Sequence, residues 1–140
     1  MLRVTADNNI LISALNFAGN PRALLNLAEA GTIRLAVSDA ILGEVASVLR
    51  RKKFGWPEIE IAGALNQISR FAEHVEPWRK IDTVKEDPSD NRILECAATA
   101  RSEYLVTGDN HLLALAKFGK IQIVKLADFL EVQAQAGRGR

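Results

Sequence analysis

The stretch Arg3-Val-Thr-Ala-Asp7-Asn8-Asn9-Ile-Leu-Ile-Ser13-Ala-Leu15 decides how the rest of the chain is read. Arg3 to Ala6 is short and holds two β-branched residues, which predicts a first strand. Ile10, Leu11, Ala14 and Leu15 recur at helical spacing, so a helix follows at once. Asp7 stands between these two apolar elements, where the strand ends. In open α/β sheets, ligands bind at the carboxyl ends of strands. An acid there either caps the next helix through backbone N–H groups or serves a cation. The choice depends on whether other acids converge on it.

Outward from this stretch, strands and helices alternate. Gly19-Asn20-Pro21 reads as a helix start, with Asn20 as N-cap and Pro21 in the first helical position. Leu24, Leu25, Leu27 and Ala28 supply its buried face and Gly31 its stop. Ile33 to Val37 reads as a second strand. Ser38 caps a helix over about Asp39 to Arg51, with Ile41, Leu42, Val45, Val48 and Leu49 as its apolar residues. Trp56-Pro57 opens another helix, whose face is Ile61, Ala64, Leu65, Ile68 and Phe71. Glu73 to Trp78 is a further strand candidate, with His74 as ordinary surface. Asp87-Pro-Ser-Asp90-Asn91 is turn chemistry feeding a helix that runs to about Ala100. Tyr104 to Thr107 is a strand, Asn110 to Lys117 a short helix, Ile121 to Val124 a last strand, and Ala127 to Gln133 a last helix. The alternation predicts a largely parallel sheet with helices on both faces. Residues 1–132 form one domain. Residues 133–140 are small and polar and predict a flexible tail.

The chain has 140 residues, 48% hydrophobic and 25% charged, enough to fold around one core. No apolar run approaches the ~20 residues of a membrane span. The opening residues lack the apolar stretch of a signal peptide, so a cytoplasmic protein is expected. Cys96 is the only cysteine, which excludes a disulfide framework and a cysteine metal site. It falls in an apolar run and reads as a small buried hydrophobe. The formal net charge of +1 does not by itself suggest a nucleic-acid partner. Acids gathered at one site would leave the remaining surface more basic than that.

Four acids stand out. Asp7 and Asp109 each follow a strand end. Glu44 shares a helix stripe with Ile41 and Val48, and Asp90 precedes Leu94 by four and Ala97 by seven. Taken singly, Asp7 serves as a helix cap, Asp90 as a first-turn acid favoured by the helix dipole, and Asp109 as a turn residue. Glu44 fits a bland role least, because a carboxylate on an apolar stripe is costly unless paired. Taken together, four clustered carboxylates repel each other unless cations neutralise them. A set without Cys or His suits Mg²⁺ or Mn²⁺, which can activate water and steady an in-line displacement at phosphorus. Arg50-Arg51-Lys52-Lys53 closes the Glu44 helix. It reads either as cations at a helix C-terminus or as a phosphate-contacting patch. Arg92, two after Asp90, is a further candidate at the cleft mouth.

Four motifs carry a family resemblance: Asp7-Asn8-Asn9, Ser38-Asp-Ala-Ile-Leu-Gly-Glu44, Asp87-Pro-Ser-Asp90-Asn91 and Leu105-Val-Thr-Gly-Asp109. Over about residues 2 to 130 the chain resembles the PIN-domain family, including VapC-like toxins of toxin–antitoxin loci. The resemblance implies a three-layer α/β/α fold and a Mg²⁺- or Mn²⁺-dependent endoribonuclease. It implies catalytic and metal-site roles for Asp7, Glu44, Asp90 and Asp109. Asn9 corresponds to a polar residue supporting the first acid, and Thr107 to one beside the last. The expected partners are RNA, a cognate antitoxin and a second copy of the chain. Asn8 stands where the family usually has Thr or Ser, and His111 where a further acid often follows.

Other classes fit less well. Many aspartyl phosphotransferases need a second Asp where Asn9 stands. A receiver domain wants an acid pair before the strand-end Asp and a late strand-end Lys, for which Lys125 is a poor match. The glycine patterns of dinucleotide and NTP sites are absent. The rival from another class is a PIN-fold RNA- or protein-binding module without turnover, which has no need of all four acids.

Overall fold

The computed structural model describes residues 1–51 and 53–138. Six strands form one sheet: β1 (Leu2–Ala6), β2 (Ile33–Val37), β3 (Glu73–His74), β4 (Tyr104–Val106), β5 (Lys117–Phe118) and β6 (Ile121–Val124). Their order is β3-β2-β1-β4-β6-β5, and only the edge strand β5 runs antiparallel. Seven helices cover it: α1 (Asn8–Asn16), α2 (Asn20–Glu29), α3 (Asp39–Arg50), α4 (Glu58–Phe71), α5 (Pro88–Ala100), α6 (Asn110–Leu115) and α7 (Leu126–Arg138). The result is the expected three-layer α/β/α arrangement. Among the described residues, no helix is long and apolar enough to cross a membrane.

The central strands carry β-branched and aliphatic residues because both of their faces are covered. Val4, Leu35, Val37, Leu105 and Val106 are fully buried. Helix α5 packs over β1 and β2 and against α3, while α2 packs on β2 and against α7. Helix α7 reaches β4 through Phe129, whose ring meets Tyr104 edge to face at 5.4 Å between centroids. Cys96 lies in the core, and burial pushes its thiol pKa up to about 12, so it behaves as the small hydrophobe expected.

Several expectations shift by local chemistry. Helix α2 begins at Asn20, not after it; Gly19 is the N-cap, at a φ of 116° and with no capping side chain. The stop at Gly31 holds, with a φ of 78° that suits glycine. The strand candidate Glu73–Trp78 shrinks to two paired residues, because only Ala36 and Val37 face it. Helix α6 ends at Leu115, and Lys117–Phe118 turns back as β5. The two-residue turn Gly119-Lys120 allows this, with Gly119 at a φ of 59°. Helix α7 continues past Gln133 to Arg138, through residues such as Ala and Gln that favour helix.

Candidate active site

The parallel pairing of β1, β4 and β6 puts their carboxyl ends side by side. The Asp7 N–H donates to Val106 O at 3.1 Å, and the Thr107 N–H to Val124 O at 3.0 Å. Asp7 and Asp109 are therefore brought to one pole, each as the N-cap of the helix that follows. Asp7 Oδ1 accepts from the Ile10 N–H at 3.0 Å, and Asp109 Oδ1 accepts from the N–H groups of His111 and Leu112 at 2.8 and 3.1 Å. The capping role and the cation role are thus compatible: each carboxylate keeps lone pairs that the helix does not use.

Thr107 ties the two acids together. Its buried hydroxyl donates to Asp7 Oδ2 and accepts the Asp109 N–H at 2.9 Å. Asn9 contributes differently from expectation: its backbone N–H faces the Asp7 carboxylate, while its side chain is exposed along a groove. Burial holds the Asp7 carboxyl above its ordinary pKa. The Thr107 and Ile10 hydrogen bonds oppose that shift, and the charge on Asp109 adds to it.

Asp90 arrives from the other side, in the first turn of α5, which Asp87 caps by accepting the Ser89 N–H at 3.2 Å. Only 5% of Asp90 is exposed, and its Oδ2 is buried with no hydrogen-bond partner. Burial, then the charges on Asp109 and Asp87, push its pKa up to about 7. A buried carboxylate oxygen without a donor costs a few kcal/mol unless something else satisfies it. Ligand atoms of Asp90, Asp109 and His111 all lie within 4.8 Å of one another. Two carboxylates, one imidazole and an orphaned oxygen make a donor set that fits a divalent cation.

Glu44 is placed apart from this group. Its side chain is 42% exposed, and Arg51 Nη2 approaches Glu44 Oε1 at 3.9 Å. An exposed pair at that distance is worth at most about 1 kcal/mol, so it does not fix the carboxylate. The other cations have varied settings. Arg50 is forked onto Glu58 at 2.8 and 3.0 Å, and Lys53 lies 5.7 Å over the Phe54 ring. Arg51 and Lys53 line a groove of about 400 Å³ between α1 and the end of α3, with Asn9 and Ser13 on its other wall. Lys52 lies outside the described residues. Arg92 donates to Ile81 O at 3.1 Å and to Glu95 Oε2 at 2.8 Å, so it braces the segment before α5.

Three contributing residues escaped the sequence reading. His111 joins the acids because its ring follows the Asp109 cap by two residues, with Nδ1 at 3.8 Å from Asp109 Oδ1. Asn91 accepts the N–H groups of Thr83 and Val84 and donates to Val84 O, all within 3.0 Å. Glu95 accepts the Ile81 N–H at 2.8 Å. These bonds hold the loop that delivers Asp87 and Asp90. The available signal was Asn91 and Glu95 at i,i+4 on the buried face of α5.

The comparisons agree with this geometry. A family model for the PIN domain matches residues 3–111. Among curated proteins, none matches the chain.

Proposed function

The chain belongs to the PIN-domain family, a nuclease-type fold, and from that premise we propose that it is a metal-dependent endoribonuclease. The observation that carries this reading is Asp90: a buried carboxylate whose Oδ2 has no partner, facing Asp109 and His111. In this reading Asp7, Asp90 and Asp109 hold Mg²⁺ or Mn²⁺, and Glu44 completes the set by leaving its weak contact with Arg51. When bound, such an ion supplies a Lewis acid and lowers the pKa of a water near the scissile phosphate. Thr107 keeps Asp7 and Asp109 in register. Asp90 gives up its proton as the cation binds. Arg51 and Lys53 draw the RNA backbone into the groove beside Asn9; Arg50, Lys52 and Arg92 add positive potential around it.

The toxin role, a cognate antitoxin, a homodimer and a cytoplasmic location are proposed from the resemblance of the four motifs. Co-expression with an antitoxin encoded alongside, followed by co-purification and light scattering, tests the partners. The competing reading is a binding module without turnover, favoured by the half-exposed position of Glu44. End-labelled single-stranded RNA decides between them. The nuclease reading expects cleavage with Mg²⁺ or Mn²⁺, none in EDTA and none with Asp90→Asn. Binding without cleavage in every metal would establish the module instead.

A further inference from the structure

A cavity of about 550 Å³ opens at the far pole of the sheet, among the start of β1, the end of α5 and the β5–β6 turn. Arg3, Arg79, Arg101 and Lys120 line it, over an apolar floor that includes Phe118 and Ile121. Four strand residues separate Arg3 from Asp7, so the cavity lies roughly 13 Å from the acids at ~3.3 Å per residue. It is a different site.

The charges around it are unspent. Among the described residues, none of these four cations forms an ion pair, whereas Arg34, Arg50, Arg51, Lys85 and Arg92 all do. Glu103 is the one acid in the lining, and its Oε1 accepts the Arg3 N–H at 3.0 Å. Arg3 Nε donates to Arg101 O at 3.0 Å, which anchors the guanidinium and leaves its other donors over the cavity. Arg101 itself ends α5 in the left-handed region, at φ 55° and ψ 45°. Glycine usually holds that position, because a side chain there costs about 1 kcal/mol. Here an arginine occupies it, and strain of this kind accompanies binding sites. Beside the cavity, Arg79 stacks 5.6 Å over the ring of Trp78, which is 76% exposed. An exposed aromatic next to unpaired cations is the chemistry that receives a base and its phosphate.

We propose that this cleft is a second, anion-selective site that takes a nucleotide unit. Arg3, Arg101 and Lys120 hold the phosphate, and the Trp78–Arg79 pair receives the base. The same chemistry is presented by a unit of an RNA strand and by a free nucleotide. The proposal stands independently of cleavage at the acids.

The test is equilibrium binding in EDTA, which keeps the acids from turning over RNA. The probes are a short fluorescein-labelled oligouridylate and, separately, AMP. Arg79 and Lys120 make no hydrogen bond in the structure and both are exposed, so Arg79→Glu with Lys120→Glu should retain the wild-type melt. Arg79→Gln with Lys120→Gln is the second variant should the reversal perturb folding. The expected result is binding about tenfold weaker in the reversed variant. For the oligonucleotide the salt slope also falls by roughly 1.4, at ~0.7 per lost phosphate contact. Loss confined to the oligonucleotide identifies an RNA strand; loss of AMP binding identifies a free nucleotide. If neither probe binds the wild type, or if both bind the variants as tightly as the wild type, the proposal is overturned.

Discussion

Replacing Asp90 with Asn should stabilise the metal-free protein at alkaline pH. Asp90 is 5% exposed, and its pKa is raised from 3.8 to about 7 by burial and by the charges on Asp109 and Asp87. A raised folded-state pKa means that the fold prefers the protonated acid. The stabilisation is complete below pH ~4, where the unfolded chain is also protonated, and is lost as pH rises through about 7. Three pKa units at about 1.4 kcal/mol each set a ceiling of about 4 kcal/mol on that loss. Asn never ionises and escapes it. We expect Asp90→Asn to gain roughly 2–4 kcal/mol at pH 8, a rise in Tm of roughly 5–10 °C for a domain of this size. At pH 4 the difference should vanish. Circular-dichroism melts in EDTA at both pH values read this directly. A variant less stable than wild type at pH 8 would refute the reasoning, because Asp90 would then be a paired structural carboxylate.

Further expectations follow from the same contacts. Thr107→Val removes the hydroxyl that bridges Asp7 and the Asp109 N–H; it should cost about 1–3 kcal/mol in chemical denaturation and abolish metal-dependent cleavage. Glu44→Gln should change stability by less than about 0.5 kcal/mol, since its only ion pair is exposed and long. A fall in cleavage rate with unchanged melting would place Glu44 in the reaction. His111→Ala should weaken stabilisation by Mn²⁺ more than by Mg²⁺ in thermal shift, because an imidazole donor suits the former better. Equal weakening for both ions would remove His111 from the ligand set.

The sequence foretells what local pattern controls. Asp7 and Asp109 are legible because a strand ending at an acid before an apolar helix is a short-range signal. The Ser38 cap and the Gly31 stop are legible for the same reason. Periodicity places Glu44 on the stripe of Ile41 and Val48, but that stripe has an edge. Val48 is itself only half-buried, and α3 opens there onto the α1 groove. Sequence spacing cannot say which side of such an edge is wet. Arg92 illustrates a second limit. Its partners, Ile81 O and Glu95, depend on how the loop before α5 folds back, which is a tertiary matter. The two-residue strand β5 is too short to show a period, and His111 carries no pattern beyond its closeness to Asp109. The cavity at the far pole draws on Arg3, Arg79, Arg101 and Lys120, which are spread along the chain, so only the sheet topology brings them together.

The most direct test of the acid centre is calorimetric titration of the protein with Mn²⁺ at pH 7, repeated in buffers of different ionisation enthalpy. With a pKa of about 7, Asp90 is about half protonated before the ion enters, and binding must displace that proton. Saturable binding with release of about half a proton, absent in Asp90→Asn, is the predicted result. Binding without proton release, or equal binding by the variant, would contradict a metal centre built on Asp90.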